Sequence, residues 1–449
     1  MKKYLLGSLA LLTLLFVCGI VGSFWLANST GRTLKKLRSD ISDAGDPIHY
    51  TDYATEPVSE KDNAFVLLSE ATSGINAYSE LVRSLKTKND SSNSGGSTVQ
   101  EPASPNTQKQ LEDFFAENSE LFDLLEKASH RRSFRSDIDR SQGFGASAAH
   151  LETSRQAIEM LAAKASMIAS RGEGDTAIGV CLTGYRILQL TELENSLVGF
   201  LIECVGLENL GKVVHQTLTT CEVSEPMREA IDTQLQQFQL NANLTNALKL
   251  ERAIGIQSFQ DFHRTAIESE ENQLPMPAFF VGTSVGKAYF NDDEAAYIEY
   301  MNQCISMVTQ TKTLRDERMD AMTSELLESG FLRFISKLMA PDITGVLDAK
   351  DDATARLQAL RILLAVQKQP DLEIKSLPAA IRTDPYTSKD LIARKTESGW
   401  LVYSVGRNLT DNAGNLTPTD PSQRPSDIGY GPIPTLQTNS NRNMGLEHK

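Results

Sequence analysis

Gly282-Thr283-Ser284-Val285-Gly286 has the spacing of a nucleophile elbow, in which a serine at a sharp strand-to-helix turn attacks a carbonyl. The preceding Ala278-Phe279-Phe280-Val281 could supply the strand. The chemistry also needs an acid and then a histidine further along, and the only later histidine is the penultimate residue His448. The segment therefore reads as a glycine-punctuated loop between helices. It runs on into Lys287, but the glycine spacing is one short of a phosphate-binding loop, and Ala288 stands where a hydroxyl would hold magnesium. Gly172-Glu173-Gly174-Asp175-Thr176-Ala177 fits a loose dinucleotide fingerprint. A helical pattern precedes it where a strand is required, so an interhelical turn is expected. His263-Arg264-Thr265-Ala266-Ile267 lacks the glutamate and second histidine of a zinc protease, and the six histidines are scattered. Cys181, Cys204, Cys221 and Cys304 form no CxxC pair and stand at no metal-ligand spacing from a histidine. Cys181 and Cys204 lie in apolar helical stretches and read as buried thiols, with one disulfide left open for an oxidising compartment. The abundant acids show no pairing that spacing alone distinguishes from a solvated helix face. No catalytic, cofactor-binding or metal-ligating residue and no cofactor is assigned from the sequence, and the chain reads as a non-enzyme.

The elements that would carry any site begin with an anchor. Residues 1–4 form a short flank, and Leu5 to Ala27 is free of charge, about 34 Å of helix and enough to cross a bilayer. Trp25 stands at its far end, where an interfacial aromatic is expected. The competing reading is a cleaved leader with Ala27-Asn28-Ser29 at the cleavage site, but the apolar run exceeds the roughly 7–15 residues of a leader's core. Cys18 follows Leu15-Phe16-Val17 and so lacks the small neighbour of a lipidated cysteine. The expectation is a retained transmembrane anchor over 5–27, with the lipid bilayer as its partner. Lys2 and Lys3 on one flank face Arg32, Lys35, Lys36 and Arg38 on the other, so the positive-inside rule does not by itself place the body. Long domains cross membranes largely regardless of flanking charge, and a Met-Lys-Lys start suits an exported chain. A single-pass protein of the cell membrane is expected, its body extracytoplasmic, on the periplasmic side.

Charge excludes one class of partner. Net charge is −14, and the first 38 residues hold six basic and no acidic side chains, which leaves 38 basic against 58 acidic beyond them, a net −20. Phosphate backbones would repel such a body, so no nucleic-acid partner is expected. The 40% apolar content suffices for a packed core.

Residues 28–56 read as a stalk, with a short helix over Thr33–Ser42 broken at Gly45-Asp46-Pro47. Residues 57–370 read as a helical body. Leu68, Ala71, Ile75, Tyr78 and Val82 share one helix face, as do Leu111, Phe114, Phe115, Phe122 and Leu125. Ile158, Leu161, Ala162, Ala165 and Ile168 repeat the pattern, followed by Ile178, Cys181, Leu182, Tyr185 and Leu188. Leu197–Val214 is apolar on nearly all sides and predicts a central, buried helix. Further helices are expected near 225–239, 241–269, 292–337 and 350–368, with a flexible loop over 88–107. Short breaks between amphipathic helices predict an irregular array of antiparallel pairs; the stretch 157–190 is similar to a tetratricopeptide unit, without its roughly 34-residue repeat. Residues 371–417 read as a small module whose β-type runs Asp390–Glu397 and Trp400–Val405 flank Ser398-Gly399, a hairpin signal. Residues 418–449 read as a disordered tail. The fold class is mainly α: an N-terminal transmembrane helix, a helical array and a small C-terminal β-hairpin.

Two segments carry a family resemblance. Ile41-Ser42-Asp43-Ala44-Gly45-Asp46-Pro47 leading to Asp62-Asn63-Ala64-Phe65, together with Ala247-Leu248-Lys249-Leu250-Glu251-Arg252-Ala253, resembles uncharacterised planctomycete-type membrane-anchored proteins, in which an anchor and stalk precede a helical region. Asp384-Pro385-Tyr386 through Leu401-Val402-Tyr403-Ser404-Val405-Gly406 is similar to a tail of that group and to the C-terminal hairpin of type II secretion pseudopilins. The latter resemblance implies a calcium-binding loop, for which Asn408, Asp411 and Asn415 offer hard oxygens beside a repelling Arg407. The N-terminus lacks the prepilin cleavage pattern, so the chain is no pilin. The expected function is a non-catalytic binding or scaffolding module of the cell envelope, acting on an envelope protein partner. The alternatives are a secretion- or pilus-related assembly component and a hydrolase with a carboxylate site.

Overall fold

Helix α1 spans Lys2–Asp43 and carries the charge-free run and the basic segment after it as one unbroken element. The computed structural model describes residues 2–53, 58–90, 105–136, 138, 149–268, 278–328, 333–369, 371–418 and 424–434. After α1 come α2 (Ala64–Asp90), α3 (Pro105–Glu117), α4 (Ser119–Ser129), α5 (Ala149–Ser170), α6 (Gly174–Glu192), α7 (Leu197–Thr220), α8 (Glu225–Leu235) and α9 (Leu240–Glu268). Then follow α10 (Ala278–Val281), α11 (Ser284–Met307), α12 (Lys312–Glu328), α13 (Phe334–Met339), α14 (Thr344–Lys368) and α15 (Ala379–Arg382). The strands are β1 (Ile392–Thr396), β2 (Gly399–Ser404) and β3 (Ile428–Ile433). The fold is mainly helical with a small antiparallel sheet at its C-terminal end, and one N-terminal helix is long and apolar enough to cross a membrane.

The described chain forms two compact units, each discontinuous in sequence. One is built on α1, α9 from Thr245 onward and α10–α13. Here the stalk expectation needs correction. Ala27, Leu34 and Ile41 recur every seven residues on one stripe and are buried; Leu34 and Ile41 pack with Ile256 of α9 and Ala295 and Ile298 of α11. Leu34 and Ile41 each contribute roughly 1.5–3 kcal/mol by leaving water, so the segment after the charge-free run is core rather than spacer. Its helix ends where expected: Gly45 adopts φ +72°, and the Gly45 and Asp46 N–H groups donate to Ser42 and Ile41 carbonyls. Asp46 then accepts from Lys249 Nζ (2.7 Å) and Arg252 Nη2 (2.8 Å) of α9. The single helix expected over 292–337 is divided, with α11 closing at Met307 and the polar Thr309-Gln310-Thr311 turning the chain into α12.

The other unit holds α2–α8, α14, α15 and the sheet. Leu68, Ala71, Ile75 and Tyr78 of α2 are buried as their spacing predicts, and Tyr78, Phe114, Phe115 and Phe122 pack ring against ring, mostly tilted or edge-on, at centroid distances of 5.6–6.0 Å. The turn at Gly172 joins α5 to α6, and Ser196 starts α7 by accepting from the Gly199 N–H (3.0 Å). α5, α6 and α7 pack on one another. The all-round burial expected of α7 is not complete, since Val198, Leu201 and Val205 share an exposed stripe. Residues 91–104 of the expected loop over 88–107 lie outside the described residues, with α2 running to Asp90 and α3 beginning at Pro105.

The hairpin is present: β1 and β2 pair antiparallel from Ile392 against Tyr403 to Thr396 against Gly399. A third strand corrects the expected disordered tail. β3 pairs with β2 (Trp400 against Ile433, Val402 against Tyr430, Ser404 against Ile428), with a register shift between Trp400 and Val402. Its Gly-Tyr-Gly-Pro core has low strand propensity, but Ile428, Tyr430 and Ile433 are buried, and that burial outweighs the propensity. The remaining tail residues, 419–423 and 435–449, lie outside the described residues.

Candidate functional site

Glu208, Lys212 and His215 recur on one face of α7, and Asp348, Asp352 and Arg356 on one face of α14. The folded C-terminal segment adds Arg407, Arg424, Asp427 and Tyr430. A cleft of about 510 Å³ is lined by Glu208, Lys212, His215, Arg356, Arg424, Asp427, Tyr430 and the Gly429 and Gly431 backbone, while Asp348, Asp352 and Arg407 lie outside its lining.

Tyr430 seats the strand against α7 through one close approach. A Cβ on Gly211 would come within 2.4 Å of the Tyr430 hydroxyl, so the helix must have glycine there. The Tyr430 ring stacks on the His215 imidazole (5.4 Å, 20°). Burial pushes His215 down to about 4, so it is neutral at physiological pH, and its Nε2 is buried without a partner among the described residues.

Two carboxylates organise the cations. Glu208 accepts from Lys212 Nζ (2.7 Å) and Arg356 Nη1 (3.1 Å). Asp352, almost wholly buried, accepts from Arg407 Nη2 (2.7 Å), Arg424 Nη1 and the Tyr386 hydroxyl. Burial alone would raise both acids. For Asp352 the hydrogen bonds from Arg407 and Tyr386, and for Glu208 the charges of Arg356 and Lys212, outweigh it and hold the carboxyls below their ordinary range. Lys212 and Arg424 are more than half exposed at the mouth, whereas Arg356 lies at the floor.

The loop before β3 is closed from within. The fully buried Asp427 carboxylate accepts from the Asn412 (3.2 Å), Gly414 (2.8 Å) and Asn415 (3.0 Å) N–H groups. This answers the calcium expectation. Asp411 is taken up by Arg394 Nη2 (2.7 Å), the Tyr403 hydroxyl (3.0 Å) and the Ala413 N–H (2.9 Å). The Asn408 and Asn415 side-chain oxygens accept from the Thr410 and Thr417 N–H groups. These loop oxygens serve protein donors, and among the described residues no group of three His, Cys, Asp or Glu side chains converges.

The sequence motifs fall elsewhere. Ala278–Val281 is helical rather than a strand, and Thr283 caps α11 by accepting from the Gly286 N–H (3.0 Å), so the elbow pattern is a helix junction. His263 packs edge-on to Phe290. Cys181, Cys204 and Cys304 are buried, Cys221 is partly buried, and all are free thiols.

One pairing had no sequence signal. Glu192 at the end of α6 and Glu203 on α7 hydrogen-bond each other, and Glu203 accepts from Asn243 Nδ2 (2.9 Å). Glu192 Oε1 and Glu203 Oε2 are buried with no donor from another residue, so the two acids can hydrogen-bond each other only when one of them carries a proton. Burial pushes both carboxyls up, and the neighbouring Glu192 raises Glu203 further. Glu203 is fully buried, and neither acid lines a described cleft. No protein-family model, curated protein or solved structure matches this chain.

Proposed function

We propose that the chain is a single-pass, membrane-anchored binding module of the cell envelope, with its body on the extracytoplasmic side, and that the C-terminal cleft receives an anionic group of a partner. The observation that carries this reading is the placement of Lys212, Arg356 and Arg424 around one cleft in a body of net −20. Of the two acids in the lining, Asp427 is occupied by loop N–H groups and Glu208 is bridged by two cations. The exposed pairs at the mouth are weak and exchangeable, so an incoming carboxylate or phosphate can take over Lys212 and Arg424 while Arg356 keeps the floor charged. The stacked Tyr430 and His215 rings give an apolar wall beside the cations.

Calorimetric titration of the full chain in detergent micelles with a glutamate-rich peptide tests the cleft. Binding should weaken with salt, and the Lys212→Ala/Arg424→Ala double variant should lose ~10-fold in affinity, the sum of two exposed ionic contacts of ~0.5–1 kcal/mol each. Binding that is absent, or equal in both proteins, would refute it. Sidedness is tested separately with a C-terminal tag. Protease should remove the tag once the outer layers are opened, and protection persisting behind the inner membrane refutes the assignment.

A further inference from the structure

The first unit carries a second surface whose place is set by α1. Thr30 Oγ1 and the Ala27 carbonyl lie 3.4 and 3.5 Å from Asn291 Nδ2 near the start of α11. Arg38 reaches Glu294 (Nε 2.8 Å), Ile41 packs with Ile298, and Asp46 joins Arg252, which holds Asn302 (2.6 Å). The two helices therefore run in the same direction, and the N-terminal end of α11 points back along α1 towards its charge-free run. Val285 precedes Asn291 by six residues, about 9 Å of helix, and the same distance along α1 leads from Ala27 back to Val21. Ser23 is half-buried on the stripe of Ala27 and Leu34, so the covered face of α1 continues into the charge-free run.

What lies at that end is apolar and aromatic. Val285 is 47% exposed, with half-buried Phe280 and Tyr289 beside it. α13 is fixed there because Asp293 accepts from the Ile335 and Ser336 N–H groups (3.0 Å each) and the Tyr289 hydroxyl meets the Phe334 backbone. One turn apart on α13, Phe334 and Leu338 face outward, Leu338 at 76% exposure. Beyond α1, Leu314 is the only other large exposed apolar side chain described in this unit, and it stands at the opposite end of α12 from Arg333's partner Glu325. Lys287 follows Val285 by two residues on α11, and Arg333 and Lys337 precede Phe334 and Leu338 on the chain, with Arg333 3.9 Å from Asp292 and 3.4 Å from Glu325.

We propose that this end of the unit is immersed in the bilayer interface, so that the protein contacts phospholipid through Val285, Phe334 and Leu338 as well as through α1. Large exposed apolar groups next to a membrane span, rimmed by cations, are the signature of an interfacial, monotopic contact. The proposal rests on the anchor reading, because the depth of the patch is counted from α1. A bilayer contact on both α1 and α13 holds the body in one tilt, whereas an anchor alone leaves it free to swing.

The test uses the full chain in phosphatidylcholine/phosphatidylglycerol vesicles containing spin-labelled lipid. An environment-sensitive fluorophore is placed at Val285→Cys, Leu338→Cys or Leu314→Cys in a Cys18→Ser/Cys221→Ser background, and on native Cys18 in a separate sample. Labels at 285 and 338 should shift to the blue and be quenched several-fold more than the label at 314. Quenching at 285 and 338 no greater than at 314, with Cys18 strongly quenched, overturns the contact and leaves the anchor. An unquenched Cys18 overturns both.

Discussion

Replacing Glu203 by glutamine should flatten the dependence of folding stability on pH. In the native chain Glu203 is fully buried, accepts from Asn243 and lies against the Glu192 carboxyl, with which a retained proton would be shared. Burial first, and the Glu192 carboxylate second, raise its affinity for that proton. An acid whose folded value lies above its unfolded value stabilises fully below the unfolded value, and loses that contribution as pH rises. One proton retained by the fold but released by the unfolded chain is worth ~1.4 kcal/mol per pH unit, or ~3 kcal/mol between pH 5 and 7. Glutamine keeps the geometry: its carbonyl accepts from Asn243, and its amide donates permanently to Glu192. At pH 5 the variant should lie within ~1 kcal/mol of the native chain, the net worth of one hydrogen bond. At pH 8 it should be the more stable of the two. Urea denaturation followed by circular dichroism in detergent micelles, at pH 5, 6, 7 and 8, reads the difference. Comparing the two chains cancels other raised acids such as Glu251 and Asp293, which both contain. Parallel stability curves, or a variant that falls further behind as pH rises, would refute the shared proton.

Gly211→Ala should destabilise the second unit by ~1–3 kcal/mol through overpacking, because the new Cβ would meet the Tyr430 hydroxyl at 2.4 Å; denaturant midpoints measure it. Tyr386→Phe removes a buried donor from Asp352 and should cost ~1–3 kcal/mol at pH 7, with the loss shrinking as pH falls and Asp352 is protonated. Asp427→Ala leaves three loop N–H groups without their acceptor, so limited proteolysis should cut between Arg407 and Pro418 in the variant at protease levels that spare the native chain. In native micelles a small maleimide should reach Cys221 before Cys181, Cys204 or Cys304, since only Cys221 of these is not fully buried; mass spectrometry orders the reactions.

Much of the architecture was legible because it depends on local periodicity. A charge-free run of bilayer length gives the same helix whatever surrounds it, and the faces of α2, α5 and α6 follow from apolar residues three and four apart. Gly45 and Ser398-Gly399 marked a helix end and a hairpin because those backbone conformations favour glycine.

Only the tertiary structure decided the rest, and each case involves partners distant in the chain. The stalk became core because Leu34 and Ile41 meet residues more than 200 positions away. β3 was hidden because a Gly-Tyr-Gly-Pro segment has little strand propensity of its own and gains order from β2 and α7. Lys212, Arg356 and Arg424 look like solvated surface charges until three separate elements set them around one cleft. Glu192, Glu203 and Asn243 look like ordinary polar positions until burial removes the water that would have kept both acids charged. Spacing along a chain reports which residues share a helix face, but burial and charge pairing depend on what packs against that face.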